Sequence, residues 1–215
     1  MNKKKIAAAA VAGLEEIYPE AICSLTYEEP YQLMIAARLS AQCTDARVNI
    51  VTPVLFEKYP TLDSLADAEV SDIAEIIRPC GLANTKAKSI VEMCARLRDV
   101  YGGVLPDTLD ELLTLPGIGR KTANLLLGDI YHKPAVVTDT HFIRITGRLR
   151  LTDNKAPAAV EDDLRKLLPA DKSSDFCHRL VLFGREYCTA RSPKCDTCPL
   201  RMKLIEADGK FSCKV

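Results

Sequence analysis

The stretch Leu115-Pro116-Gly117-Ile118-Gly119-Arg120-Lys121-Thr122-Ala123 constrains the chain most, because it joins an apolar helix end, a tight Gly-x-Gly turn and a second helix opened by two basic residues. Without side chains at Gly117 and Gly119, backbone N–H groups can approach an anion closely, and the following helix adds the positive end of its dipole. Lys121 stands at that helix start. Two glycines also suit an ordinary helix–turn–helix corner. The flanking residues have to decide.

No stretch shows sustained period-2 alternation, so the chain is expected to be all-α. Lys3 to Leu14 imitates a signal peptide, but alanine dominates the run and Glu15-Glu16 follow at once, so an amphipathic first helix stopped by Pro19 is expected rather than export. Pro30 opens a largely apolar, central helix expected to reach Gln42. Asp45 is expected to cap a short helix, with Thr52-Pro53 starting another that Tyr59-Pro60 ends. Ser71 is expected to cap Asp72 to Arg78, and a long helix from Thr85 to Tyr101 closes at Gly102-Gly103. Further helices are expected at Leu109 to Leu115, Lys121 to Ile130, His141 to Leu151 (with Asp139 at its N-cap), Ala158 to Leu168 and Ser174 to Tyr187.

With 29 basic and 29 acidic residues, no global field draws the chain to nucleic acid or an anionic membrane. An anion-binding surface must be local. From Leu115 to Arg150, Arg120, Lys121, Lys133, Arg144, Arg148 and Arg150 stand against only Asp129 and Asp139, a basic segment centred on the glycine turn. No run approaches the ~20 apolar residues of a membrane span.

Lys121 and Asp139 form the first chemical pair. A lysine attacks only when neutral, and burial near a helix N-terminus or another cation such as Arg120 disfavours its charge. A carboxylate can stabilise positive charge or accept a proton. The plain alternatives are a phosphate-binding cation and a helix cap. The second constellation is Cys188-x6-Cys195-x2-Cys198, whose close thiols suit zinc or an iron–sulfur cluster. Cys213 is the candidate fourth ligand. Such clustering points to metal in a reducing compartment, the cytoplasm, while Cys23, Cys43, Cys80, Cys94 and Cys177 suit core filling. Arg191 and Lys194, in the loop between the first two clustered thiols, are candidates for phosphate contact.

Leu115-Pro-Gly-Ile-Gly-Arg-Lys-Thr-Ala followed by Val-Thr-Asp-Thr-His141, together with Leu39-Ser-Ala-Gln-Cys-Thr-Asp45, Gly81-Leu-Ala-Asn-Thr-Lys-Ala87 and the cysteine run, resembles the endonuclease III family of helix-hairpin-helix DNA glycosylases over residues 1–200. The resemblance implies a bifunctional DNA glycosylase/AP lyase that excises oxidised pyrimidines in base excision repair. Lys121 would attack C1′, and Asp139 would assist base departure. Gly117, Gly119 and Arg120 would anchor the DNA backbone, and Gln42 and Leu82 would fill the stack vacated by a flipped base.

The resemblance further implies two helical lobes, residues 25–132 and residues 1–24 plus 133–215, with Lys121 and Asp139 facing each other across a groove. It implies a [4Fe-4S] cluster on Cys188, Cys195 and Cys198, a monomer, and a double-stranded DNA partner carrying a damaged base or abasic site in the nucleoid. The family's fourth cysteine position holds Leu204 here, so either Cys213 reaches back as a non-standard ligand, the expected outcome, or the cluster is three-coordinate, labile or absent. Mismatch or ultraviolet-photoproduct excision, and a non-catalytic DNA-binding module, are the competing functions. The module reading is disfavoured because Lys121 and Asp139 are both present.

Overall fold

In the computed structural model, which describes residues 2–20 and 22–215, the chain consists of α-helices and two short 3-10 segments, with no strand among the described residues. Helix α1 (Lys3–Ile17) starts where Asn2 Oδ1 accepts the N–H groups of Lys4 and Lys5, and it stops at Tyr18, before Pro19. Ile6, Ala10 and Leu14, each one turn apart, give it a buried stripe.

Helix α2 (Pro30–Leu39) has proline in its first turn and a capping box closed by Gln32. Leu33, Met34, Ile35 and Leu39 are all fully buried, each worth about 2 kcal/mol of burial. The helix ends at Leu39 and not at the expected Gln42, because Gln42 adopts φ +56°, which a right-handed helix cannot accommodate. Helix α3 (Asp45–Lys58) also differs from expectation. Thr44, not Asp45, is its cap, with Thr44 Oγ1 accepting from Arg47 N, and Pro53 lies inside one continuous helix. A proline there removes one backbone donor without breaking the rod.

Helix α4 (Leu62–Ala66) was not expected from the sequence; a Thr61/Ser64 capping box stabilises it despite its five-residue length. Helix α5 (Val70–Ile76) starts one residue before the expected Ser71 cap and passes into a 3-10 turn, Arg78–Cys80. Helix α6 (Ala83–Tyr101) is followed by Gly102 and Gly103, both at positive φ as the closing turn requires. Helix α7 (Leu109–Leu112) is shorter than expected, and helix α8 (Arg120–Asp129) follows the glycine turn.

Beyond it lie α9 (Thr140–Arg148), α10 (Pro157–Arg165), α11 (Ser173–Glu186) and α12 (Arg201–Ala207). The last was not anticipated. It packs on α1, where Gly13 leaves no room for a Cβ beside Leu200. Two compact units result: Ser24–Tyr131, and Met1–Cys23 together with His132–Val215. Among the described residues no helix is long and apolar enough to cross a membrane.

Candidate active site and cluster-binding loop

In the unit Ser24–Tyr131, Leu115 and Ile118 are buried and hold the turn between α7 and α8, with Ile118 N donating to Leu115 O at 3.1 Å. The two glycines have different reasons. Gly117 lies at φ +78°, and a Cβ there would stand 2.8 Å from Arg38 Nε and 3.0 Å from Ser89 Cβ. Gly119 is extended and caps α8 without a side chain, and a Cβ there would meet nothing within 4 Å. Gly117 therefore seats the turn against α2 and α6, whereas Gly119 leaves the start of α8 open to a close-approaching anion.

Arg120 and Lys121 are both exposed on that first turn. Lys121 is thus not the buried lysine that the sequence reading invoked. Water surrounds it in the free chain, and only a docked ligand can remove that water.

Gln42 and Leu82 occupy two turns of the same unit. Both adopt left-handed backbone, at φ +56° and +51°, which is costly for residues other than glycine. Leu82 is 58% exposed, so it is no core residue, and Gln42 is exposed too. The turns share a tether that sequence reasoning missed. Lys86 is completely buried, and its Nζ donates at 2.8 Å both to Leu39 O, ahead of the Gln42 turn, and to Cys80 O, ahead of Leu82. Burial, the largest cause, holds its pKa below the usual lysine value. The only hint in the sequence was a lysine on the apolar face of α6, between Leu82 and Ile90.

In the other unit, Asp139 caps α9: its Oδ1 accepts from Phe142 N at 2.6 Å, which leaves Oδ2 outside the cap. The preceding residues Ala135 to Thr138 are buried and belong to no regular element. Side chains of α11 satisfy them instead, Ala135 N donating to Ser173 Oγ and Val137 N to Cys177 Sγ. Asp139 is thereby fixed from both sides.

The basic segment read as one anion-binding surface divides. Arg144 Nη2 donates to Cys188 O at 3.0 Å, and Arg148 reaches Thr189 O at 2.7 Å, Ala190 O at 2.9 Å and Cys188 Sγ at 3.3 Å. Arg150 Nε donates to Ser212 O at 2.7 Å. These guanidiniums serve internal carbonyls. Their spacing was the available signal, since positions 144 and 148 share one helix face. In the loop they brace, Arg191 and Lys194 are exposed, with Lys194 Nζ 5.9 Å above the Tyr187 ring.

Cys188, Cys195, Cys198 and Cys213 all line one cavity of about 330 Å³. Four thiols around one cavity form the all-sulfur donor set that a four-iron cluster takes, one thiolate per iron. Cys195 and Cys213 are exposed, and Cys188 and Cys198 are half-buried.

Residues 35–170 match the HhH-GPD superfamily of base excision DNA repair proteins, and residues 188–201 match the iron-sulfur binding domain of endonuclease III. Endonuclease III of Synechocystis sp. is 43% identical over 200 residues, covering 93% of this chain and 91% of the relative. Endonuclease III of Bacillus subtilis is 40% identical, covering 86% and 85%. A solved structure of a trapped endonuclease III–DNA covalent intermediate superposes with a TM-score of 0.89 at 38% identity, over 100% of this chain and 96% of that one. The chain belongs to the endonuclease III family, DNA N-glycosylases with AP-lyase activity in base excision repair that carry a [4Fe-4S] cluster.

Proposed function

We propose that this chain removes oxidised pyrimidines from duplex DNA and then cuts the abasic strand, with Lys121 as nucleophile and Asp139 as the carboxylate that assists base departure. The observation that carries this reading is Lys121 on the open first turn of α8, two residues after a glycine cap that leaves room for a phosphate. After giving up its ammonium proton, Lys121 Nζ adds to C1′ as the glycosidic bond breaks, and the base leaves with the bonding pair and takes up a proton. Opening of the sugar gives a protonated Schiff base. Loss of a C2′ proton then expels the 3′ phosphate. Asp139 stabilises the positive charge that develops on the sugar.

Gly117, Gly119 and Arg120 hold the backbone, and Arg191 and Lys194 add phosphate contacts from the cysteine loop. Exposed Gln42 and Leu82 fill the gap left by the flipped nucleotide. Cys188, Cys195 and Cys198 hold the cluster, which when bound cross-links the loop that carries Arg191 and Lys194. The reaction takes place on nucleoid DNA in the cytoplasm, where reducing conditions keep the cysteines free of disulfides.

The test is single-turnover cutting of a duplex panel carrying thymine glycol, dihydrouracil, a G:T mismatch or a pyrimidine dimer. The first two are expected to be cut fastest. Preference for the mismatch or the dimer would overturn the lesion assignment.

A further inference from the structure

The position six residues beyond Cys198 is Leu204, fully buried on α12 and part of the cavity wall, and it offers no metal ligand. The only other thiol lining that cavity is Cys213, which belongs to no regular element. It is nonetheless held on both sides. One residue before it, Ser212 O accepts from Arg150 Nε at 2.7 Å; one residue after it, Lys214 N donates to Arg148 O at 2.9 Å and Lys214 Nζ pairs with Asp153 at 2.5 Å.

The anchor is itself specialised. Arg150 sits at φ +59° directly after α9, a left-handed position that usually selects glycine, and its side chain is what grips the tail. Two residues earlier, the Arg148 side chain touches Cys188 Sγ while its carbonyl receives the tail. The segment Arg148 to Arg150 thus ties together the first clustered thiol and the last. Arg148, Lys194 and Arg201 line the cavity and supply positive charge for an anionic four-thiolate cluster.

We propose that the C-terminal segment is a strap that delivers Cys213 as the fourth thiolate of the cluster, with Arg150 and Lys214 as its clips. This rests on the reading that the chain binds a four-iron cluster. Ligation closes the strap, and an empty site leaves it held by the clips alone. Cluster retention and protection of the tail are therefore coupled.

The test loads wild type, Cys213→Ser and Cys213→Ser/Leu204→Cys with iron and sulfide under anaerobic conditions. Iron content, visible charge-transfer absorption and electron paramagnetic resonance after mild oxidation are then compared, with circular dichroism checking that each variant is folded. The expected result is that Cys213→Ser loses about one iron in four and gives a three-iron signal on oxidation, while the double variant regains the wild-type spectrum. Trypsin is expected to cleave at Lys210 several-fold faster in wild type stripped of iron, and faster in loaded Arg150→Met than in loaded wild type. Wild-type iron content and spectrum in Cys213→Ser would overturn the strap alone. Failure of wild type to take up iron would overturn the cluster reading and the strap with it.

Discussion

Two helices begin beside proposed reacting groups, α8 at Lys121 and α9 at Asp139, and they use their arginines in opposite ways. Arg120 of α8 is exposed on the first turn, next to a glycine that keeps the approach clear. Arg144 and Arg148 of α9 instead turn onto the carbonyls of the loop after α11. Equal charge in the sequence therefore marks an exposed helix start, the proposed DNA-facing surface, in one unit and a brace for a loop in the other. A guanidinium with fixed carbonyl partners is a poor phosphate ligand, because releasing it would strand those carbonyls.

The comparison breaks most readily at Lys86, the buried counterpart of those braces. Lys86→Met keeps the stem but leaves the Leu39 and Cys80 carbonyls without their donor, and it should cost about 2–4 kcal/mol in urea unfolding. A loss below about 0.5 kcal/mol would show that the Gln42 and Leu82 turns hold without it. Next in size is the glycine pair. Gly117→Ala meets both a left-handed backbone and Arg38, and should destabilise by about 1–3 kcal/mol. Gly119→Ala should leave stability within about 0.5 kcal/mol yet weaken duplex binding. Equal stability losses at the two positions would remove the distinction drawn between them.

A smaller effect concerns Cys94, a buried thiol of α6 whose pKa rises to about 12 through burial. Because the folded state keeps this proton above the unfolded thiol value of 9.0, its contribution is full below that pH and is lost as pH climbs toward the folded value. Wild type should lose on the order of 1 kcal/mol more than Cys94→Ala between about pH 8 and about pH 10. Parallel losses in urea midpoint would contradict this. The smallest effect is a slope. Arg120→Ala should reduce the salt dependence of DNA binding by about one unit, while Arg148→Met should leave the slope unchanged and loosen the cysteine loop.

Much of the architecture was legible because proline and glycine punctuate it. Pro30 opens α2, Gly102 follows α6 and Asp139 caps α9 as their residue types dictate. The misplaced ends share one cause. Gln42 carries a left-handed turn and Pro53 a helix interior, and both are tertiary outcomes that local propensity does not encode. At the site, the short α12 and the tether from Lys86 depend on partners distant in sequence, Leu200 against Gly13 and Leu39 O against Lys86 Nζ. Charge counting failed for Arg144, Arg148 and Arg150 for the same reason, since a sum of charges does not show which ones find carbonyls.

The central claim is that solvated Lys121, on the open turn of α8, is the nucleophile. Borohydride reduction in the presence of an abasic-site duplex, followed by peptide mapping of the cross-linked residue, tests it most directly. Wild type should yield a covalent adduct on Lys121, Lys121→Ala should yield none, and Asp139→Asn should slow base removal more than trapping at a preformed abasic site. An adduct that persists in Lys121→Ala, or that maps to another lysine in wild type, would contradict it.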